Sequence, residues 1–196
     1  MPMQPAVALL EFDSIAVGIE TGDAMVKRAP LDVIKAGTVH PGKYLVLVGG
    51  RVADVEEALE AGRLVGSEHL IDEMVLPDIH DAVVAALVGS RATGEGEALG
   101  IIETSTVSAI IEAADAGVKG ARVTLREIRM ADGLGGKGYL LFAGPLAEVE
   151  AAVEIGSGRV PEQIVASRVI PQIHAEMDEN LVADGRFRKR IRDVSE

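Results

Sequence analysis

The residues best suited to chemistry are four histidines, because the chain contains no cysteine. His40 lies in the segment Thr38-Val-His-Pro-Gly42, where Pro and Gly predict an exposed turn. An imidazole there can bind a divalent metal ion or change its charge near neutral pH. His80 and His174 each follow a proline by three positions, which favours a repeated structural role, and His69 has no counterpart. Neither a Ser-His-Asp order nor metal-ligand spacing occurs on one element, so we find no catalytic constellation.

A glycine-rich segment formally satisfies the pattern G-x-G-x-x-G at Gly133, Gly135 and Gly138. A dinucleotide site requires such glycines to open a helix, whereas the next residues, 139–142, predict a strand. The phosphate-binding P-loop pattern also fails, because Gly138 follows Lys137 where Ser or Thr is needed. We therefore expect a tight hairpin turn, whose glycines let backbone amides approach a passing polar solute or anion.

The chain contains two copies of one pattern. Residues 10–29 match residues 102–121 at an offset of 92, and Pro77-Asp-Ile-His80 matches Pro171-Gln-Ile-His174 at an offset of 94. Two residues are therefore inserted between these blocks. Apolar, polar and turn residues correspond over about 70 positions, which indicates a tandem pair of like domains.

Each copy predicts the element order β-α-β-β-α-β. Apolar residues at helical spacing mark the first helix of each copy, namely Ile15, Ile19, Gly22 and Val26, then Val107, Ile111, Ala114 and Val118. The predicted strands are 7–12, 31–39, 43–48 and 70–76, then 99–103, 123–130, 137–142 and 164–170. Second helices start near Asp54 and Glu148, and a short helix covers 82–88. This order is the ferredoxin-like α+β topology.

Composition sets limits on partners and location. The net charge of −12 and the five aromatic residues argue against nucleic-acid binding, which needs basic surfaces and stacking platforms. We see no secretory signal and no long apolar run, so we expect a soluble, cytoplasmic protein with no membrane contact. The predicted segments are a first domain at 1–88, a linker at 89–97, a second domain at 98–180 and a basic tail at 181–196. The tail, with Arg186, Arg188, Lys189, Arg190 and Arg192, is either solvated or a contact for an acidic partner.

Several motifs together resemble one family. The segments 10–29, Pro41-Gly-Lys-Tyr44, 49–55 and Val169-Ile-Pro-Gln-Ile-His174 are similar to those of bacterial microcompartment shell proteins of the tandem-domain, trimer-forming type, with the domain order unpermuted. The resemblance implies a homotrimer that forms a pseudohexamer, tiles a shell with other microcompartment shell proteins, and passes polar metabolites through a central pore. It implies that the pore is lined by Val39, His40, Pro41 and Gly42 of copy one and by Asp132, Gly133, Leu134, Gly135 and Gly136 of copy two.

The resemblance extends to the tandem shell protein of propanediol-utilising compartments. Its matching loop reads Cys-Pro-Gly-Lys, and three such cysteines hold an iron-sulfur cluster at the pore. Here the cysteine position is His40, so the chain offers no thiolate for that cluster and we expect no such cofactor. Three imidazoles on a three-fold axis suit zinc or another divalent ion, although a simple polar opening is the alternative.

The resemblance also implies contacts at the tile edge. Lys27 and Lys119 match a lysine that meets the neighbouring tile, and a plain surface role is the alternative. Single-domain tiles commonly carry Arg after the proline of Pro-x-x-His, whereas this chain has Asp78 and Gln172. Neither residue reproduces the planar, charged guanidinium, so we expect weaker or more selective edges. A soluble trimeric small-molecule sensor is the second hypothesis, and an enzyme is the third.

Overall fold

Both copies fold as the predicted β-α-β-β-α-β unit in the computed structural model, which describes residues 6–92 and 97–183. The first copy contains β1 (Ala6–Phe12), α1 (Ile15–Arg28), β2 (Val33–Val39), β3 (Lys43–Gly50), α2 (Val52–Gly66), β4 (Leu70–Leu76) and α3 (Asp81–Leu87). The second contains β5 (Ala98–Thr104), α4 (Val107–Gly120), β6 (Thr124–Met130), β7 (Gly138–Gly144), α5 (Leu146–Arg159), β8 (Ile164–Ile170) and α6 (Ala175–Val182). The predicted order of elements is thus confirmed twice.

Each copy forms one antiparallel sheet. The strand orders are β2-β3-β1-β4 and β6-β7-β5-β8, which confirms the ferredoxin-like α+β prediction. The pairing registers also repeat, since Leu10 pairs with Val46 and Ile102 pairs with Leu140. The two sheets therefore present equivalent residues at equivalent positions in these strands, while a register shift between Leu125 and Glu127 distinguishes β6 from β2.

The element ends differ from the prediction by a few residues. Helix α2 begins at Val52, ahead of the acidic residue used to place it, and α6 continues to Val182, beyond the predicted boundary at 180. Part of the predicted linker (93–96) and the basic residues Arg186, Arg188, Lys189, Arg190 and Arg192 of the tail lie outside the described residues. Within the part of the chain that the structure describes, no helix is both long and apolar enough to cross a membrane.

The core continues from one copy into the other. Leu10 and Phe12 of β1 face α1 and α2 and pack in the first copy's own core. Val7 and Leu9 alternate with them on the opposite face and belong to the same cluster as Ile110 of the second copy. Strand β1 is consequently buried along its whole length, because its sheet lies between its own helices and α4.

Helices α4 and α5 pack so closely that one glycine is required at their contact. A Cβ on Gly156 would lie 2.8 Å from the carbonyl oxygen of Ala113 and 2.9 Å from Cδ1 of Ile102. Such distances are too short for a real contact, and the backbone oxygen of α4 cannot move away without shifting the helix. Gly158, two residues further along α5, has no atom within 4 Å of the same position.

These two glycines provide a matched test of the helix packing. Gly156→Ala should destabilise the protein by about 1–3 kcal/mol, because the added methyl group overpacks the contact between α4 and α5. Gly158→Ala should be neutral or stabilise by up to about 1 kcal/mol, since alanine favours the helix and finds open space. Urea unfolding of both variants measures the difference, and equal free energies of unfolding would contradict the described packing.

Candidate functional site: the two loops and the interdomain joint

The loops that connect the central strand pairs of the two copies lie side by side. The backbone N–H of His40, in the first loop (residues 39–42), donates a hydrogen bond to Oδ1 of Asp132 in the second loop (residues 131–136), with an N–O distance of 3.1 Å. Cδ of Pro41 also lies 3.0 Å from the place where a Cβ on Gly136 would stand. The sequence-predicted residues of both loops are therefore brought together within one chain.

The first loop is a short exposed turn between β2 and β3. Val39 pairs with Lys43, and the Gly42 amide donates to the Val39 carbonyl at 2.9 Å. Gly42 has a φ of +116°, which strongly favours glycine. The bond between His40 and Pro41 is cis. The His40 side chain is exposed, so its imidazole is available to solvent or to other chains.

The second loop is two residues longer. Thr38 pairs with Tyr44 across the first loop and Met130 pairs with Gly138 across the second, so the enclosed segments have five and seven residues. The predicted insertion is therefore located in this loop. Strand β7 begins at Gly138, and so the glycine pattern precedes a strand, as predicted, and does not open a helix.

The amides of the second loop divide into internal and exposed groups. Leu134 and Gly136 both donate to the Ala131 carbonyl, at 2.9 and 3.4 Å. Among the backbone hydrogen bonds of the described residues, the amides of Gly133 and Gly135 do not donate, and both glycines are exposed. Of the glycines predicted to line a pore, Gly133 and Gly135 can therefore offer donors to a solute, whereas Gly136 is buried.

A fully buried carboxylate joins the two copies. Glu11 in β1 has no exposed surface, and its Oε1 lies 2.6 Å from Nζ of Lys43. Its Oε2 accepts the N–H groups of Val107 at 2.9 Å and Ser108 at 3.5 Å, which are the first amides of α4 in the other copy. The amides at a helix start lack intrahelical partners and carry partial positive charge, so a carboxylate is well suited to them.

Further polar contacts connect the copies along α4. The His80 amide donates to Oδ1 of Asp115 at 2.8 Å. Lys119 forms an ion pair with Asp115, with Nζ 2.7 Å from Oδ2, and its Nζ also donates to the Asp78 carbonyl. Near the helix start, the hydroxyl of Thr106 donates to Asp72. We call these contacts, together with those of Glu11, the interdomain joint.

Of the joint residues, Lys119 and Asp78 were predicted from the sequence as tile-edge residues, whereas Glu11, Asp72, Thr106 and Asp115 were not singled out as a site. The available signal was the equal spacing of Glu11 and Glu103 and of Asp23 and Asp115, at an offset of 92. Such spacing establishes the repeat but does not show that carboxylates of one copy bind amides of the other. Lys119, predicted at a tile edge, lies beside Asp78 within one chain.

The other histidines form contacts that involve neither loop. Nδ1 of His80 accepts the Ala82 amide at 3.1 Å and caps α3, consistent with a structural role. His174 occupies the equivalent position before α6, without a side-chain cap. Nδ1 of His69 lies 2.7 Å from Oδ1 of Asp13. Within residues 6–92 and 97–183 of a single chain, no three His, Asp or Glu side chains are grouped to hold a metal ion.

The residues behind the second loop repeat the Glu11–Lys43 pair in a more open setting. Nζ of Lys137 lies 2.8 Å from Oε1 of Glu103, and the Glu103 side chain is 34% exposed.

Burial raises the pKa of the Tyr139 phenol in β7 above its ordinary value, and the neighbouring Glu127 carboxylate adds to the rise. The phenol therefore stays neutral at physiological pH and adds no charge behind the loop.

Comparison with known proteins identifies the repeated unit. The family model described as the BMC domain matches residues 6–79 and 98–173. The bacterial microcompartment shell protein PduT of Citrobacter freundii is 40% identical over 182 residues, which are 92% of this chain and 99% of that protein. The microcompartment shell protein EutM of Salmonella typhimurium is 38% identical over 85 residues, 42% of this chain and 86% of that protein. A crystal structure of a microcompartment protein from Desulfitobacterium hafniense DCB is 38% identical, covers 90% of this chain and 99% of that one, and has a TM-score of 0.76.

Glu11 provides a direct test of the interdomain joint. Glu11→Ala should destabilise the protein by about 3–5 kcal/mol, because it leaves the partly buried Lys43 ammonium and the buried first α4 amides without their acceptor. Glu57→Ala, which removes the exposed partner of Arg28, is the control and should cost less than about 1 kcal/mol. Thermal and urea unfolding measure both. Similar small decreases in the free energy of unfolding of the two variants would show that Glu11 does not hold the copies together.

Proposed function

The chain belongs to the BMC-domain family of bacterial microcompartment shell proteins, and from this premise we propose that three copies close into a pseudohexameric ring that tiles a shell facet. A structural role in the shell follows from the family. The observation that carries the ring is that one chain already contains two like units joined edge to edge by the interdomain joint. If every junction between neighbouring domains, within a chain or between chains, rotates the next domain by about 60°, six domains close a ring. Three chains then form that ring with true three-fold symmetry.

We propose that the two loops line a central pore. Fusion of two copies lets the ring alternate three loops with His40 and three with Asp132, which identical single-domain chains cannot do. The contact between His40 and Asp132 supports this arrangement, because it places neighbouring loops together on one side of the chain. The exposed groups are an imidazole, a carboxylate and the amides of Gly133 and Gly135, so the opening would select polar metabolites by size and charge.

The donor set of the first loop does not suit an iron-sulfur cluster. Such clusters are held mainly by thiolates, and the position in question is His40 in a chain without cysteine. Three His40 imidazoles at the ring axis would instead supply nitrogen ligands for a divalent ion, with water as a further ligand. We keep this metal centre as a proposal that depends on the ring.

We propose that tile edges involve Lys27, Lys119, Asp78 and Gln172. The side chains of Asp78 and Gln172 are exposed and follow the repeated prolines, which suits contact with a neighbouring tile. Because neither carries the guanidinium of the family pattern, lateral contacts would be weak among identical tiles and would favour other shell proteins as partners. The sensor hypothesis receives no support from the relatives, which are shell proteins. We also propose that the chain has no catalytic activity.

Electron microscopy of the purified protein, with its mass measured in solution, tests the shell role. We expect three-chain discs that pack into hexagonal sheets at moderate salt. Asp78→Arg combined with Gln172→Arg should let sheets form at a lower protein concentration without changing the mass of the disc, because each new guanidinium can insert into the next tile.

The control for the edge variant adds the same charge elsewhere. Glu68→Arg combined with Ser67→Arg makes the same change in charge at two exposed positions on the turn after α2 and should leave sheet formation unchanged. Discrete particles that never tile, in the parent protein and in the arginine variant alike, would contradict the facet role. A solution mass that differs from that of three chains would contradict the ring itself.

Asp132 provides the test of the pore. Asp132→Asn should raise the passage of small anions relative to a neutral solute of similar size, because it removes three carboxylates from the opening. The amide oxygen can still accept the His40 N–H, so the loop geometry is preserved. Flux through reconstituted shells or tiled sheets, with labelled anionic and neutral solutes, measures the ratio.

The pore test has one control variant. Asp32→Asn removes the same charge at an exposed position at the opposite end of β2 from the first loop and should leave the ratio unchanged. An unchanged ratio in Asp132→Asn would show that this loop does not line the pathway.

Zinc binding to the same preparations tests the metal centre. Binding of one ion per three chains that is abolished by His40→Ala would support it, and no zinc binding would contradict it.

A further inference from the structure

The second loop contains the dipeptide Asp132-Gly133, whose covalent chemistry the proposed pore does not use. An aspartate followed by glycine is the pair most prone to cyclise, because glycine has no Cβ to hinder its own nitrogen from attacking the aspartate side chain. The first loop (residues 39–42) contains no aspartate, so one of the two loops carries this pair and the other does not. A second pair, Asp184-Gly185, lies outside the described residues.

The backbone nitrogen of Gly133 is available for this reaction. Both residues of the pair are exposed. Within the part of the chain that the structure describes, the Gly133 N–H donates no hydrogen bond, whereas the Leu134 amide donates to the Ala131 carbonyl at 2.9 Å. An amide with an acceptor must break that hydrogen bond before its nitrogen can approach a side chain. The Gly133 amide has no such bond to break.

The carboxyl group of Asp132 lies beside a donor that favours the same reaction. Its Oδ1 accepts the backbone N–H of His40 at 3.1 Å. Attack on Cγ moves negative charge onto a carboxyl oxygen, and an N–H that already points at that oxygen stabilises the charge as an oxyanion hole does. The contact between the two loops therefore holds the electrophile in a polarised form next to an exposed, unbonded amide.

We propose that Asp132 is a site of spontaneous backbone isomerisation in the folded protein. The Gly133 nitrogen bonds to Cγ of Asp132 and loses its proton, and the bond from Cγ to the protonated carboxyl oxygen breaks. One water molecule leaves and a five-membered succinimide ring forms. Water then opens the ring at one of its two carbonyl carbons. Opening at the side-chain carbonyl restores aspartate, and opening at the main-chain carbonyl gives isoaspartate, so no oxidant or other reactant is needed.

The isomerised loop has a different length and a different position of its charge. Isoaspartate adds one methylene group to the backbone ahead of Gly133 and attaches the carboxylate directly to Cα, so the hydrogen bond from the His40 amide is lost. In the proposed ring, the three second loops would change and the three first loops would keep their sequence and length. The reaction itself takes place within one loop of one chain and does not require the ring.

The test is incubation of the purified full chain under native conditions at physiological temperature, followed by digestion with trypsin. Trypsin cuts after Arg129 and Lys137, so the second loop is released as one short peptide. Electron-transfer fragmentation and labelling by an isoaspartyl methyltransferase both measure isoaspartate in this peptide. We expect its amount to rise with time in the native protein.

Two exposed aspartates of the same chain are internal controls. Asp32 and Asp78 precede Val33 and Ile79, whose branched side chains hinder attack by the backbone nitrogen. We expect several-fold more isoaspartate at Asp132 than at either control position in the same digest.

Two variants at Asp132 separate the chemistry from the structure of the loop. Asp132→Glu keeps a carboxylate but would have to close a six-membered ring, so nearly all isomerisation at this position should be lost. Asp132→Asn keeps an acceptor for the His40 amide and should react several-fold faster through the same ring, with ammonia leaving in place of water. Flux through the Asp132→Asn pore variant is therefore to be measured on freshly purified protein.

The outcomes differ clearly. Isoaspartate at position 132 of the native protein, absent from Asp132→Glu, supports the proposal. Isoaspartate that forms there only after unfolding in urea would overturn it, because the folded loop would then prevent ring closure. Equal amounts at position 132 and at the two control positions would also overturn it. Each result is independent of the solution mass, so failure of this proposal would leave the proposed ring in place.

Discussion

A carboxylate buried between two like domains places a strong constraint on the rest of this structure. Glu11 has no exposure to water and meets one ammonium group and two helix amides, so its charge is compensated on both sides. An ionised group at such depth is tolerated only with partners of this kind. Its position near the end of β1 fixes the start of α4 against the first sheet, and the apolar residues of β1 then bury their second face.

The same constraint brings the two loops together. With α4 held against the first sheet, the strand pairs of both copies end side by side, and the His40 amide reaches Asp132. The middle residues of the two loops carry no part of the core, since His40 and Asp132 are both exposed, whereas Val39 and Ala131 at the loop starts pack in it. They are therefore free to differ in length and chemistry while the joint keeps the copies equivalent. This separation explains how a duplicated chain can retain one fold and hold two unlike loops.

The sequence predicted the fold well because its strongest signals are local. Strand alternation, helical spacing and turn residues appear twice, so the elements predicted in one copy can be compared with those predicted in the other. The burial of the first helices could not be predicted in this way. Ile19 and Ile111 occupy the same place in the same pattern, yet one is exposed and the other is buried. Only the packing of one copy on the other distinguishes them, and neither helical spacing nor composition encodes that contact.

The two kinds of contact in the proposed ring would differ in strength. The within-chain joint buries Met74 and contains the bond from Thr106 to Asp72. The between-chain contact would place Arg168 and Ala166 at those positions, so it lacks that hydrogen bond and brings an exposed guanidinium to a helix that carries Asp23. It would therefore depend more on charge and less on apolar burial. A chain that folds around the stronger joint first would present a complete pair of domains for assembly, so that folding and ring closure proceed as separate steps.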